Sequence, residues 1–106
     1  MKESDLYIAY QIKTRIQQTD PDAKIILFGS RARGKADDDS DWDVLVLIDH
    51  PLKNRMEEKK YRHPIFDLEL EIEQPISVFV VTKSDWENKY IFTSLYKSIQ
   101  QEGVTL

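Results

Sequence analysis

Residues 42–48 read WDVLVLI, a nearly continuous apolar run interrupted only by Asp43. This pattern is typical of a strand that is covered on both faces of its sheet. The runs KIILF at 24–28 and ISVFVV at 76–81 are bounded by turn residues and predict two more strands. Segments with helical spacing precede, separate and follow these strands. The chain is therefore predicted to be an α/β or α+β protein whose sheet is layered with helices.

Two long segments carry apolar residues at helical spacing. The first covers about 5–18 and stops at the turn residues 20–22. The second covers about 52–73, and Pro64 inside it predicts a bend or a division, because proline lacks the amide N–H that the helix needs. The predicted inward positions of this second helix are Met56, Lys60, Ile65, Leu68 and Ile72.

The remaining segments complete the predicted order α-β-β-α-β-α. Residues 29–40 have no apolar periodicity and predict a long polar loop between two central strands. Ser84 and Asp85 are predicted to cap a turn, and 92–101 is predicted to form the last helix. The tail, 104–106, is predicted to add a short edge strand.

Composition limits the class of protein. The chain has 106 residues, with 15 Lys and Arg against 19 Asp and Glu, which gives a formal net charge of −4. This length suits a single domain over 1–106, and the acidic balance disfavours binding to duplex nucleic acid. There is no cysteine, and no apolar run approaches the length of a membrane span. We therefore expect a soluble protein of the reducing cytoplasm.

Asp41 and Asp43 lie two positions apart at the start of the predicted central strand. Alternate side chains leave the same face of a strand, so both carboxylates can converge on one ion. Mg²⁺ is typically bound by one or two protein carboxylates together with substrate phosphates. Gly29 and Ser30 follow the preceding strand, where the glycine permits close backbone approach and the serine hydroxyl and the next amides can hold phosphate oxygens. Phosphate and metal are thus predicted to meet in one cleft.

Five acidic residues fall within 37–43. So much like charge is repulsive unless a cation or the nearby Arg31, Arg33 and Lys35 offset it. Acid-rich loops are usually solvated, and that is the interpretation for the first three of these acids. They are Asp37, Asp38 and Asp39.

The string GSRARG at 29–34, followed after five residues by SDWD at 40–43, resembles the signature of the minimal nucleotidyltransferases of the DNA polymerase β superfamily. The resemblance is tight over this segment and looser over nearly the whole chain. It implies a nucleotidyltransferase fold, with a mixed β-sheet flanked by helices. It also implies an NTP held at Gly29 and Ser30, with Mg²⁺ bound by Asp41 and Asp43.

In that family a third carboxylate on a later strand completes a two-metal site and helps to activate the attacking hydroxyl. Here the corresponding strand begins Pro75-Ile76-Ser77, with serine where the family often has aspartate. Serine brings no charge to balance an ion, so the second metal loses its anchor. Acids just upstream are alternatives, although the run DLELEIE is more typical of a solvated helix face. These acids are Asp67, Glu69, Glu71 and Glu73.

Other conspicuous residues have simpler interpretations. His50 and His63 lack a partner at ligand spacing and are predicted to be surface residues. Trp42 alternates with the two aspartates, so it is predicted to pack under a helix on the opposite sheet face. The aromatic-rich C-terminal part is predicted to be core, and any exposed portion would be an interaction surface. This part contains Trp86, Tyr90, Phe92, Leu95, Tyr96 and Ile99.

The resemblance implies two alternative functions. The first is Mg²⁺-dependent transfer of an NMP group, here AMP from ATP, to a hydroxyl on a protein or small molecule, with Arg31 or Arg33 stabilising the leaving pyrophosphate. The second is a catalytically impaired nucleotide-binding or partner-binding module, such as the antitoxin of a HEPN-type toxin. A structural relic without a ligand is a weaker third hypothesis. A chain this small has no separate substrate-recognition domain, so a partner or self-association as a homo-oligomer is expected to complete the acceptor site.

Overall fold

The computed structural model of the chain describes residues 3–34 and 40–106. The acids Asp37, Asp38 and Asp39, predicted to be solvated, and Lys35, predicted to offset their charge, lie outside the described residues. The described elements are α1 Glu3–Thr19, β1 Lys24–Phe28, α2 Ser30–Arg33, β2 Trp42–Ile48, α3 Arg55–Ile72, β3 Ile76–Thr82, α4 Lys83–Asn88, α5 Ser94–Glu102 and β4 Val104–Thr105.

The strands form one mixed sheet in the order β3-β2-β1-β4. β1 is antiparallel to both β2 and β4, whereas β2 and β3 are parallel. The segment between β1 and β2 therefore joins central strands, and the C-terminal tail forms an edge strand, as the sequence predicts. Helices flank the sheet, which confirms the predicted fold class. No helix in the part of the chain described is long and apolar enough to cross a membrane.

The two faces of the sheet carry separate apolar clusters. On one face, Trp42, Val44 and Val46 of β2 are fully buried against α1 and α3. The opposite face, which we call the aspartate face, carries Asp43 and Leu45. Here the apolar cluster is formed with α4 and α5, and its buried members are Ile26, Leu45, Leu47, Trp86 and Ile99.

The aromatic-rich C-terminal part is mostly core, as predicted. Trp86 is buried, and Tyr90 stacks on it with ring centroids 5.6 Å apart. The ring of Tyr96 lies 4.9 Å from that of Trp86. Phe92 differs, since 89% of its surface is exposed.

Helix α3 continues unbroken through Pro64. Proline supplies no N–H, so the carbonyl of Lys60, four residues earlier, loses its usual helical donor. The hydroxyl of Thr19 on α1 donates to that carbonyl oxygen over 3.3 Å. A contact between two helices thus replaces the missing hydrogen bond, and a division of α3 into two pieces is not observed.

The inward face of α3 was only partly predicted. Met56 is 69% exposed and Lys60 is exposed, so both predictions are wrong. Tyr61 is fully buried instead, and its hydroxyl donates to Asp20 Oδ2 over 2.7 Å. This contact with the turn after α1 fixes which side of the helix faces the core. The positions confirmed as buried or partly buried are Ile65, Leu68 and Ile72.

Two local predictions need correction at helix starts. The loop predicted over 29–40 contains the short helix α2. α4 is capped by Thr82, whose hydroxyl accepts from the N–H of Asp85 over 3.1 Å, so Ser84 and Asp85 lie inside the helix rather than at its cap. The threonine ends a strand and starts a helix, and the apolar pattern alone does not separate these roles.

β3 is an edge strand that α3 partly covers. The N–H of Ile76 donates to Glu69 Oε2 over 3.3 Å. The guanidinium of Arg62 donates to the carbonyl of Val78. Two outward-facing backbone groups of this edge are therefore occupied by side chains from α3.

Candidate functional site

β1 leads directly into Gly29, the residue before α2. Gly29 has φ 77° and ψ −160°, a backbone conformation that is essentially restricted to glycine. A Cβ at this position would also collide with the Oδ2 atom of Asp43. Glycine is therefore required by the backbone conformation, and any larger residue would also have to displace the carboxylate of the neighbouring strand. Ser30 follows at once as the first residue of α2.

Asp43 lies in a row of three residues that crosses the sheet. Its register partners are Phe28 on β1 and Ser77 on β3. Residues in register place their side chains on the same face. Asp41 lies just before β2, is exposed, and is close enough for its charge to act on Asp43. The structure thus brings Gly29, Asp41 and Asp43 together, as the sequence predicts.

The pKa of Asp43 is raised above its ordinary value. Burial of this half-buried carboxyl is the largest cause and the negative charge of Asp41 adds to it, whereas Arg33 acts in the opposite direction. A pair of carboxylates that disfavour each other's ionised form is stabilised by a divalent cation between them. The donor set therefore fits a hard cation such as Mg²⁺, with the other ligand positions left to phosphate oxygens and water.

No third carboxylate from the described part of the chain joins this pair. α3 packs on the opposite face of the sheet, where Glu71 pairs with Arg15 over 2.6 Å and Glu69 accepts from the backbone of β3. Over residues 3–34 and 40–106, no three acidic or histidine side chains lie together in a way that could hold a metal ion. The acids Asp67, Glu69, Glu71 and Glu73 thus do not replace the carboxylate missing at Ser77.

Arg31 is oriented away from the aspartate face. Its side chain is buried, and its guanidinium lies 4.8 Å from the centroid of the Trp42 ring, on the other side of β2. Trp42 itself is fully buried there, as predicted. The guanidinium donates to the carbonyl of Ser40 over 2.9 Å and contacts Asp5 at 3.3 Å. Arg31 therefore ties the residue before Asp41 to the turn after β1, and this placement does not support its predicted contact with pyrophosphate.

Gln74 also contacts Trp42 and Arg31, although no sequence pattern predicted this role. Its side-chain oxygen accepts from Trp42 Nε1 over 2.8 Å and from Arg31 Nη2 over 3.1 Å. The backbone N–H of Trp42 donates to the carbonyl of Pro75 over 3.0 Å. A single glutamine between two elements has no local sequence signal, because its importance depends on which distant residues the fold places beside it.

Arg33 differs from Arg31 in being exposed on the side of the aspartates. Its charge opposes the rise in the pKa of Asp43, and its side chain pairs with α5, a helix that packs on the aspartate face. Its Nη1 atom lies 3.2 Å from Oε2 of Glu102 at the end of α5. Arg33 is therefore the one of the two predicted arginines that is positioned to meet an anion bound at the aspartates.

The two histidines lie away from the site. His50 follows the far end of β2, where its Nε2 is 3.3 Å from Asp20 Oδ2 and 3.2 Å from the hydroxyl of Tyr61. His50 also lines a cleft of about 630 Å³ at the C-terminal ends of β2 and β3, which the two aspartates do not line. His63 is exposed on α3, as predicted.

The fold and the site together define a nucleotidyltransferase-type domain, with a strand-to-helix turn carrying Gly-Ser and an Asp-x-Asp pair at the start of the adjacent strand. The family model described as nucleotidyltransferase domain matches residues 9–106, and the chain belongs to this family. No curated protein matches the sequence.

Solved structures that share the fold include two toxin–antitoxin structures. One is described as a toxin–antitoxin with AMP-PNP, and it matches with a TM-score of 0.64 and 20% sequence identity, over 91% of this chain and 69% of that chain. The other is described as a mutant of the toxin–antitoxin MntA-HpeT, and it matches with a TM-score of 0.63 and 20% identity, over 92% of this chain and 70% of that chain.

Proposed function

We propose that this chain binds Mg²⁺–ATP between the Gly29–Ser30 turn and the pair Asp41 and Asp43, and transfers AMP to a hydroxyl on a protein or small molecule. The observation that carries the proposal is the close approach of Gly29 to the Asp43 carboxylate. That approach leaves room for the backbone and the carboxylate, but not for a side chain, within the segment that carries the family resemblance. Phosphate oxygens and a metal ion held by these groups would lie side by side.

Each group has a defined part in such a transfer. The Ser30 hydroxyl and the amides after Gly29 would hold phosphate oxygens, and Asp41 and Asp43 would hold the ion. When bound, Mg²⁺ neutralises charge on the triphosphate. The acceptor oxygen bonds to the α-phosphorus while the bond from that phosphorus to the bridging oxygen breaks. Pyrophosphate leaves beside Arg33, and the hydroxyl proton passes to solvent.

A second candidate function is nucleotide and partner binding without turnover, and the place of Ser77 favours it. Ser77 lies in register with Asp43, where the resemblance implies a carboxylate that helps to activate the attacking hydroxyl. Its hydroxyl carries no charge for a second ion. Because toxin–antitoxin structures share the fold, one of them described with AMP-PNP, a toxin is the partner proposed for this chain. The motif resemblance suggests a HEPN-type toxin, and self-association is the other way to complete the acceptor site.

Isothermal titration with a non-hydrolysable ATP analogue, first with Mg²⁺ and then with EDTA, tests the shared part of both functions. Binding that requires Mg²⁺ and is lost in Asp41→Asn and Asp43→Asn variants of intact fold is the expected result. Binding that persists in these variants would contradict the site assignment. Release of pyrophosphate from ATP in the presence of a candidate partner then separates transfer from binding alone.

A further inference from the structure

The aspartate face is only partly covered by helices. α4 and α5 pack over the part of β1, β2 and β3 that carries Ile26, Leu47 and Val81. The other part carries Asp43 and Ser77, and beside these lie two phenylalanine rings. These rings therefore lie next to the proposed phosphate site.

Phe28 and Phe79 form a pair of rings across the central strand. Phe28 is the register partner of Asp43, and Phe79 is the register partner of Leu45, two residues further along β2. The ring centroids lie 5.8 Å apart with the planes tilted by 49°, so the two rings contact each other across β2. Phe28 is half-buried and packs on the cluster beneath, while Phe79 leaves 43% of its surface exposed. The pair therefore presents a fixed aromatic surface beside Asp43.

We propose that this surface, Phe28 with Phe79, is the subsite for the base of the nucleotide, an inference that rests on the proposed function. Two residues along a strand span about 7 Å. The sugar and base of a nucleotide bridge this distance when the α-phosphate lies at Asp43. An aromatic base stacks favourably on a ring of this kind, and an apolar subsite adjoining a polar anchor is typical of small-ligand sites. Because the rings adjoin the row of residues that contains Asp43, the part of a bound nucleotide that contacts them is its base.

The two phenylalanine side chains determine which bases the subsite can distinguish. Phenylalanine has no hydrogen-bonding group, so the rings do not read the edge of a base. Stacking increases with the area of the stacked ring, and the subsite therefore favours purines over pyrimidines without separating adenine from guanine. Any preference between ATP and GTP would have to arise elsewhere.

The test compares Mg²⁺-dependent binding of AMP-PNP and of inorganic tripolyphosphate by isothermal titration. Phe79→Ala is expected to weaken AMP-PNP binding by about 5- to 150-fold, which is the range for loss of one base stack, and to leave tripolyphosphate binding unchanged. Phe66→Ala is the matched control, because Phe66 is 54% exposed on α3, behind the opposite face. This control is expected to change neither affinity. Phe79→Leu keeps the apolar bulk and removes the ring, so it serves if the alanine variant does not fold.

The outcomes separate the two proposals. Unchanged AMP-PNP affinity in both Phe79 variants, or equal weakening of both ligands, would overturn the base subsite and assign the exposed ring to another contact, such as a protein partner. If binding remains sensitive to Asp43→Asn in that case, the proposed nucleotide site stands. Absence of binding of both ligands to the unaltered chain would overturn the nucleotide site and the base subsite together.

Discussion

Asp43 and Ser77 are register partners on the parallel strands β2 and β3, and their side chains leave the same face of the sheet. The position at which the family resemblance implies a third carboxylate is thus filled by a hydroxyl. A single substitution addresses this difference without changing any other element.

Ser77→Asp is expected to make the site more dependent on metal. Without Mg²⁺ the new carboxylate lies beside Asp43 and lowers stability by about 0.2–1 kcal/mol, as like charges in register do. With Mg²⁺ the loss is reversed, and pyrophosphate release from ATP increases if transfer is the function. Thermal unfolding with Mg²⁺ and with EDTA measures the first effect. Ser77→Asn is the uncharged control, and similar behaviour of the two variants would contradict the prediction.

Gly29→Ala is expected to lower both stability and nucleotide affinity. The strained backbone costs about 1–3 kcal/mol, and the added Cβ displaces the Asp43 carboxylate. Gly34→Ala is a close control, because Gly34 has φ 71° but open space where its Cβ would lie. Urea unfolding and titration with AMP-PNP should show reduced stability in both variants and reduced affinity only in Gly29→Ala. Equal affinities in the two variants would rule out the collision as a functional constraint.

Substitutions of the two arginines of the motif are expected to have different effects, one on stability and the other on nucleotide binding. Arg31→Ala removes a buried guanidinium and leaves Asp5 without its ion-pair partner and Gln74 with Trp42 alone, which should cost about 2–4 kcal/mol of unfolding free energy. Arg33→Ala removes an exposed ion pair worth less than about 1 kcal/mol. It should instead weaken Mg²⁺–AMP-PNP binding and reduce the salt dependence of that binding. If Arg31→Ala instead weakened nucleotide binding and Arg33→Ala instead lowered stability, Arg31 would be assigned to the phosphate site.

Asp43 is expected to make the fold less stable as the pH rises through the acidic range. Its pKa is raised in the folded chain by burial and by Asp41, so the folded state holds this proton more tightly than the unfolded state. Stability is therefore lost between the ordinary carboxyl pKa and the raised folded value. Without metal, Asp43→Asn should be more stable than the unaltered chain at neutral pH, and the difference should vanish on acidification below that interval. Urea unfolding in EDTA across pH 3–7 measures this difference in stability. A difference that stays constant with pH would contradict the raised pKa of Asp43.

The strands and the motif were predictable because both depend on local sequence. β1 matches its predicted bounds, and the alternation of Trp42 with Asp41 and Asp43 was enough to place the indole on the opposite face. The rotation of α3 was not predictable from its own periodicity, because the contact between Tyr61 and Asp20 sets it. The structural role of Arg31 was missed for the same reason, since its partners Asp5, Ser40 and Gln74 lie 26, 9 and 43 residues away in the sequence.

The covered edge of β3 restricts how this chain can associate. Edge strands pair readily with other chains when their backbone groups are free. Glu69 and Arg62 occupy two such groups on β3, and β4 at the other edge is only two residues long. Growth of the sheet from one copy into the next is therefore disfavoured at both edges. Assemblies of this chain, with a toxin or with itself, should be built from side-chain surfaces and should leave its strand content unchanged on complex formation.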